Sequence, residues 1–579
     1  MKSKASTSKT AYLLFSVIGI LFCFCFLTEA DLAGNGNIIW TISYCIKTAA
    51  ISLAVGIPGG ILLCRVLHHF VYAGYPRSKQ PAEAEALPSS GTAAKPENRL
   101  RLFFEKMTAG QFFSGSLILI LLAWLPCYLA FYPGICAYDS YIQVGQIESG
   151  SYIDHHPIAH TLLIRGAMKL GKIMTGNVTA GIGLYTFLQL LFLGTVFAWG
   201  ITFLRKHGFG IAGLLLMQAV CMFYPFHWYM SVSVTKDIIF TGFFLLQILS
   251  LSELVLETEY KKTFPILFFV STTGMIVFRN NGQYACMVLL VFLALTALFG
   301  REHKRFGKLF LLVLSGLISG ILLLNLLFHI TGAEQGDRRE LLSMPIQQLA
   351  RVMVYHGGVG VLPKDDNTLT DSEKALINDF ILDEAYRDYD PHISDPVKRH
   401  TNTYVARYRM KEFIHIYLEL LIKYPGDFLN AALETNAGYL YPGDTSHAYI
   451  NVSELNSGLG YVQTRWEEST LNSAGIYKAS KSEALHTLLK RWADENGYLK
   501  IPIFKYLFMP GIWLWLYLLL IGSLFVIRQR RLCLPLVLVL GYYLTLFLGP
   551  TVQLRYIYPV MAAYPFMLLF CIKTGLHGK

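Results

Sequence analysis

The stretch from Phe131 to His160 places acids and histidines directly after a long apolar segment. Its first acid, Asp139, follows the helix-breaking pair Pro133-Gly134. A carboxylate at a membrane surface can act as a general base if an acceptor proton lies within hydrogen-bond reach, although an Asp here could equally cap the next helix. We predict Asp139 as the catalytic residue, and we expect its partial burial to raise its pKa.

A second group in the same loop reads Asp154-His155-His156-Pro157. Asp and His are both ligands of divalent cations, but adjacent residues cannot all face one ion, and the spacing supplies no clear third ligand. A structural or substrate-contacting turn is the competing interpretation. We therefore keep Asp154 and His156 as weak metal candidates, with a divalent cation possible and no cofactor assigned.

Isolated polar residues also mark the ends of apolar segments elsewhere in the chain. Arg and Lys in such places suit contact with a phosphate or pyrophosphate, although Lys also reaches the membrane interface by snorkelling. Asp237 has less reach, which favours a cavity over exposure to lipid. The predicted phosphate-binding residues are Lys236, Asp237, Arg279, Asn280, Arg555 and Tyr556.

The composition is that of a membrane protein. Of 579 residues, 54% are hydrophobic and 15% are charged, whereas a soluble chain carries about 25% charged residues. The apolar residues form blocks of about 20, the length of a helix that crosses a bilayer. We predict an all-α polytopic membrane protein with about twelve transmembrane helices, at 11–27, 38–64, 112–131, 181–204, 209–230, 238–257, 263–278, 283–300, 309–330, 506–527, 532–548 and 556–572.

The basic residues alternate between loops in a way that predicts the topology. Tufts of Lys and Arg fall in every second loop, which the positive-inside rule assigns to the cytoplasm. This predicts a plasma-membrane protein with both termini cytoplasmic and with the loops 132–180 and 331–505 on the outer face. Because the net charge of +11 is spread over these tufts, it argues against nucleic acid as a partner.

The predicted organisation has five parts. Residues 1–64 form two transmembrane helices, and the Pro-, Ser- and Ala-rich stretch 65–106 forms a flexible cytoplasmic linker. Residues 107–330 form a membrane core whose outer loop 132–180 contains interfacial helices. Residues 331–505 form a mostly helical outer domain, and residues 506–579 hold the C-terminal transmembrane helices.

Several segments resemble the GT-C superfamily of membrane glycosyltransferases, and within it a poorly characterised bacterial family of GT-C-like membrane proteins. They are YPGICAYDSYIQ, DHHPIAHT, TKD, FRNNGQ and LRYIYPV, and the resemblance covers most of residues 112–572. It implies a GT-C-like fold. It also implies transfer of a sugar from a polyprenyl-phosphate donor to a glycan, lipid or protein acceptor at the outer face of the membrane.

The resemblance also implies roles for single residues. Asp139 takes the position of the catalytic Asp of the first loop, and the Asp154-His155-His156 turn takes a position on the donor side. The chain has no Asp-x-Asp pair in its first loop, so a metal requirement is in doubt. Two other functions stay open: a transporter or lipid flippase, and a polymerase or ligase of surface polysaccharide.

Overall fold

Apolar runs separated by polar turns form helices throughout the part of the chain that the structure describes. The computed structural model describes residues 9–73, 104, 106–136, 138–256, 261–300, 302–334, 336, 341–361, 366–444 and 470–577. Within these ranges only isolated β-bridges accompany the helices. A helix pairs its own N–H and C=O groups, which a segment surrounded by lipid must do. The predicted all-α class is confirmed for these residues.

The helices are numbered here in chain order. They are α1 (Lys9–Asn35), α2 (Ile42–Ala73), α3 (Ala109–Ala130), α4 (Tyr138–Ser149), α5 (Ile158–Thr175), α6 (Val178–Lys206), α7 (Ile211–Phe223), α8 (Pro225–Val232), α9 (Lys236–Leu256), α10 (Thr263–Phe278), α11 (Asn280–Phe299), α12 (His303–Thr331), α13 (Ser343–His356), α14 (Asp371–Phe380), α15 (Glu384–Arg387), α16 (Asp395–Arg399), α17 (Thr403–Tyr408), α18 (Met410–Lys423), α19 (Pro425–Thr435), α20 (Ala437–Leu440), α21 (Glu483–Asp494), α22 (Pro510–Val526), α23 (Cys533–Leu546) and α24 (Leu554–His577). Short 3₁₀ turns occupy Gly497–Lys500, Phe504–Phe508 and Arg530–Leu532.

The number of membrane crossings depends on how many helices are long and apolar enough to span a bilayer. Among the described residues, eight helices are long and apolar enough to cross a bilayer: α1, α2, α3, α6, α9, α11, α12 and α24. The pair α7 and α8 is bent by 51°, and α10, α22 and α23 are shorter. Every predicted span therefore contains a helix, the chain has the architecture of a polytopic membrane protein, and the count of twelve spans stays a prediction.

The membrane helices have two chemically different ends. At one end, which we call the basic end, Lys206 contacts Glu253 and Arg531 contacts Glu302. At the opposite end, which we call the site end, α3 ends and α9 begins. The grouping of bases agrees with the alternation seen in the sequence, while the assignment of the site end to the outer face stays a prediction.

The predicted linker at 65–106 begins later than the sequence indicates. Residues 65–73 continue α2, because the apolar sequence runs on past Arg65 before the first proline-rich stretch. Residues 74–103 and 105 lie outside the described residues. The chain re-enters the membrane core at α3, whose start is fixed by a capping box between Thr108 and Gln111.

Residues 341–444 form a helical layer at the site end with its own apolar core. Buried side chains such as Leu349, Tyr386 and Phe413 pack together there. This layer rests on the turn between α1 and α2, where Trp40 Nε1 donates to Asn430 Oδ1 at 2.7 Å. The described part of the predicted outer segment 331–505 is therefore mostly helical, as expected. Residues 445–469 lie outside the described part.

The stretch that follows, from Thr470 to Phe508, packs against the membrane core. Lys481 N donates to Leu129 O at 2.8 Å, and Ala479 N donates to Tyr132 O at 3.1 Å. Helix α21 lies along α3, and Tyr229 OH donates to Leu489 O at 2.8 Å. This stretch thereby holds the start of the first loop, Tyr132, in place beside the membrane helices.

The loop helix α5 is held against α6 by a close backbone crossing. Gly171 of α5 lies against Gly181 of α6, and a methyl group at Gly181 would overlap the carbonyl oxygen of Ala167. The predicted helix after Pro157 is confirmed as α5. Its crossing with α6 depends on glycine, because no side chain fits between the two backbones.

Replacing Gly181 by Ala is expected to destabilise the protein by about 1–3 kcal/mol, since overpacking forces two helices apart. Thermal unfolding in detergent measures the change. Gly166→Ala is the matched control on α5, because a methyl group there meets open space. An equal melting temperature for the Gly181 variant and the wild type would contradict the close crossing.

Candidate functional site

Five charged residues from separate parts of the chain meet at the site end. Asp139 lies in the first turn of α4, and Lys236 and Asp237 open α9. Arg279 lies between α10 and α11, and Arg555 lies in the first turn of α24. We call these five residues the charge cluster. They meet because each stands at the same end of helices that pack side by side.

Arg555 holds Asp139 with two hydrogen bonds. Its Nη1 donates to Asp139 Oδ2 at 3.0 Å, and its Nη2 donates to Asp139 Oδ1 at 3.1 Å. The Nε of the same guanidinium donates to Gln553 Oε1 at 2.8 Å. Such a two-point contact is the strong geometry for an arginine and a carboxylate, and here only 3% of the Arg555 surface is exposed.

Lys236 also binds Asp139, rather than its sequence neighbour Asp237. Lys236 Nζ donates to Asp139 Oδ2 at 2.6 Å. It also lies 3.3 Å from His156 Nδ1. Lys236 and Asp237 are adjacent in sequence but contact different residues, because neighbouring residues at a helix start point in different directions.

Asp237 is fully buried and contacts both arginines. Arg279 Nη1 donates to Asp237 Oδ1, and Arg555 Nη1 lies 3.5 Å from Asp237 Oδ2. The ring of Tyr556 lies 4.9 Å from the guanidinium carbon of Arg279 and 4.9 Å from that of Arg555. Arginine stacks well on aromatic faces, so Tyr556 holds the two guanidinium groups side by side.

The charge cluster has more positive than negative charge. It contains three cations and two carboxylates, which leaves one positive charge if His156 is neutral. Its four members other than Lys236 are buried, and Lys236 is half-buried. Unbalanced charge in a buried place is costly, so the cluster is suited to bind an anion.

The expected rise of the Asp139 pKa is wrong. Burial by itself raises the pKa of this carboxyl, but Arg555, Lys236 and His156 lie close to it and hold its pKa well below the ordinary value. The sequence indicates that Asp139 lies in a loop beside apolar segments. It does not indicate that Arg555 and Lys236 contact the carboxylate of Asp139. In this arrangement Asp139 is an ion-pair partner and a weak base.

The three residues of the predicted donor-side turn, Asp154, His155 and His156, have different surroundings. Asp154 accepts a hydrogen bond from the backbone N–H of Gly336. His155 is exposed and its ring lies 4.5 Å from that of His156. His156 is buried, and burial holds its pKa well below the ordinary value, assisted by Lys236.

The weak metal candidates are not brought together. Lys236 Nζ faces His156 Nδ1, and an ammonium group at that nitrogen opposes a cation there. Asp154 is engaged by Gly336 instead. Across the described ranges, no group of three His, Cys, Asp or Glu side chains has the arrangement of a metal site.

Asn280, which was predicted to bind phosphate, lies outside the charge cluster. It is exposed at the first residue of α11, and among the described contacts it makes none with the charge cluster. Its neighbour Asn281 donates to Thr545 Oγ1 at 2.7 Å, which ties α11 to α23. The position at a helix start was visible in the sequence, but the direction of the side chain was not.

Sequence reasoning missed a buried polar chain behind Asp139. Gln143 lies one helical turn after Asp139. Its Oε1 is 2.9 Å from His160 Nδ1, and its Nε2 donates to Thr161 Oγ1 at 2.9 Å. Tyr185 OH lies 2.7 Å from His160 Nε2, and burial lowers the His160 pKa to about 3. The spacing of four residues places Asp139 and Gln143 on one face of α4, but the contacts with His160 follow only from the fold.

Comparison with known proteins gives one match. Residues 147–577 fit the family model described as a family of unknown function, DUF6020. The chain belongs to DUF6020. The matched range contains His156, Lys236, Asp237, Arg279 and Arg555, so four of the five members of the charge cluster lie within it. No curated protein and no solved structure matches the chain.

Proposed function

We propose that this DUF6020 protein is a membrane glycosyltransferase that moves a sugar from a polyprenyl-phosphate donor to an acceptor hydroxyl. The observation that carries the proposal is the buried ion pair of Asp139 with Arg555 and Lys236, in a cluster with surplus positive charge. A carboxylate beside phosphate-binding cations is what transfer from a lipid phosphate requires. The resemblance to the GT-C superfamily supports the same conclusion.

The donor phosphate would change the partners of Asp139. A phosphate offers several acceptor oxygens to Arg555, Lys236 and Arg279, and these cations would then turn from Asp139 to the phosphate. Asp139 would lose the contacts that keep its pKa low and become a stronger base. The resting ion pair thus explains how a weak base could act only when a donor is bound.

The transfer step follows from that arrangement. The acceptor hydroxyl gives its proton to Asp139 and its oxygen forms a bond to the anomeric carbon. The bond from that carbon to the phosphate oxygen breaks, and its electron pair leaves with the lipid phosphate. The cations stabilise the charge that develops on the leaving oxygen, a contribution of about 3–4 kcal/mol for one donor group in measured cases.

The position of the cluster favours this function over transport. Its members stand in first turns and between helices, at the site end. A transport path is marked by charges near the middle of the membrane. A polysaccharide polymerase or ligase uses the same kind of donor, so it falls within the proposed chemistry.

The proposed location is the plasma membrane, with the site end on the outer face. There the site would meet membrane lipids and an acceptor that is an envelope glycan, a lipid or a protein.

The test uses purified protein in nanodiscs and a panel of polyprenyl-phosphate sugars. We expect the wild type to release free polyprenyl phosphate from at least one donor when a mixed envelope fraction supplies acceptors. The same reaction with EDTA tests the divalent cation, and an unchanged rate is expected because the described residues bring no third ligand to Asp154 and His156. No release from any donor, together with flux of a lipid-linked sugar across liposomes, would instead identify a transporter.

A further inference from the structure

His156 is held in one protonation state by its neighbours. Its Nδ1 lies 3.3 Å from Lys236 Nζ and 3.8 Å from Asp139 Oδ2. An ammonium group can only donate, so Nδ1 must accept, and the carboxylate is too far away to take a proton from Nδ1. Burial favours the neutral ring. The single ring proton therefore lies on Nε2.

Within the described part of the chain, that proton has no hydrogen-bond partner. His156 Nε2 is buried and has no hydrogen-bond partner among the described residues, and only 3% of the His156 surface is exposed. Most buried donors in proteins are satisfied, and an unsatisfied donor costs free energy. An unpaired N–H beside a cluster that suits an anion indicates a ligand that supplies the missing acceptor.

A second buried polar atom belongs to the residue directly before Lys236. The hydroxyl of Thr235 is fully buried and is likewise without a partner in the described part of the chain. Thr235 directly precedes Lys236 at the start of α9. A hydroxyl both donates and accepts, so Thr235 offers a hydroxyl-bearing ligand a further contact at the start of α9.

We propose that His156 Nε2–H and the Thr235 hydroxyl form an uncharged subsite that binds the hydroxyl groups of the donor sugar beside its phosphate. The proposal rests on the proposed function, because that function places a sugar next to the phosphate. It assigns recognition of phosphate to the charge cluster and recognition of the sugar ring to these two residues. His156 and Thr235 are thus specificity residues, and neither needs to exchange a proton during transfer.

Binding of two probes separates these contributions. The probes are polyprenyl phosphate and polyprenyl phosphohexose, titrated against protein in nanodiscs and followed by intrinsic tryptophan fluorescence. We expect the wild type to bind the hexose probe more tightly, and His156→Phe and Thr235→Val each to lose about tenfold for that probe, the equivalent of one hydrogen bond. Affinity for polyprenyl phosphate is expected to stay close to that of the wild type, because the charge cluster is kept. Arg555→Gln should weaken both probes.

The conservative variant His156→Gln keeps an amide donor and is expected to recover part of the preference. If His156→Phe and Thr235→Val both still bind polyprenyl phosphohexose more tightly than polyprenyl phosphate, the sugar subsite is overturned and the proposed function stays intact. Failure of the wild type to bind either probe would overturn the function and the subsite together. A loss of affinity for both probes in the His156 variants would show a merely structural role.

The protonation state has its own readout. Nitrogen NMR of histidine-labelled protein, with His156 assigned by the His156→Gln spectrum, is expected to show a protonated Nε2 and a bare Nδ1. Addition of polyprenyl phosphohexose should shift the Nε2 resonance, and polyprenyl phosphate should shift it less. A proton on Nδ1, or equal shifts with both probes as expected for a buried water at Nε2, would overturn the inference.

Discussion

Replacement of Asp139 by Asn is expected to lower the rate of lipid-phosphate release by about 10²–10⁴-fold, the range in which a general base contributes to catalysis. Asn keeps the shape of the side chain and one acceptor oxygen for Arg555, but it cannot take the proton of the acceptor hydroxyl. Donor binding should persist, since the three cations remain. The measurement is single-turnover release of polyprenyl phosphate at saturating donor.

Glu148→Gln is the matched control for Asp139→Asn. Glu148 lies on the same helix α4 but is exposed, so its loss should leave the rate unchanged. Thermal unfolding of both variants verifies that each is folded. A folded Asp139→Asn protein with wild-type rate would exclude Asp139 as the base, while the release itself would still show transfer from the lipid phosphate.

The pH dependence of the Asp139 ion pair has a definite sign. The folded-state pKa of this carboxyl lies well below its ordinary value, and the unfolded value is about 3.9. The ion pair therefore contributes stability that is present above about pH 4 and is lost as the pH falls through the folded pKa. Between pH 5 and 8 this carboxylate should not itself change the stability of the protein.

Replacement of Arg555 by Gln is expected to destabilise the protein by about 3–5 kcal/mol, because it leaves buried carboxylates short of a cation. Asp139 would lose both guanidinium hydrogen bonds, and Asp237 would keep only Arg279. Arg555→Lys restores the charge but not the two-point contact, so it should recover only part of the stability. Denaturant unfolding in detergent measures each difference.

The control for Arg555 is Arg491→Gln on α21. Arg491 pairs with Glu495 at 2.7 Å, but its side chain is 73% exposed, and an exposed pair adds little stability. The double variant Asp139→Asn, Arg555→Gln should be more stable than Arg555→Gln alone, since it removes the carboxylate that the single variant leaves unpaired. Strict additivity of the two changes would argue against a direct Asp139–Arg555 interaction.

Charged residues at the ends of apolar segments could be read from the sequence, and their pairing could not. Asp139, Lys236, Arg279 and Arg555 are conspicuous because charge is rare near lipid. Which of them touch depends on which helices are neighbours, and Asp139 and Arg555 stand 416 positions apart in the chain. The sequence therefore predicted the members of the charge cluster, while the low pKa of Asp139 needed the fold.

The same division applies to the helices. Blocks of about 20 apolar residues predict helices well, because lipid leaves the backbone few alternatives. The bend between α7 and α8 depends on Pro225 at the start of α8, and the span prediction ran through it. The chain Gln143–His160–Tyr185 was missed because these residue types are ordinary in a buried helix contact and gain meaning only from their distances.

Arg555 also bears on how the protein is made. Its helix α24 is the last in the described chain, and it supplies the guanidinium that bridges Asp139 and Asp237. During synthesis Asp139 of α4 leaves the ribosome well before that arginine, because it stands 416 positions earlier in the chain. Until α24 inserts, the described cations that can pair with the two carboxylates are Lys236 and Arg279. Completion of the site thus waits for the insertion of α24, and a chain cut before α24 lacks a finished site however well its earlier helices have assembled.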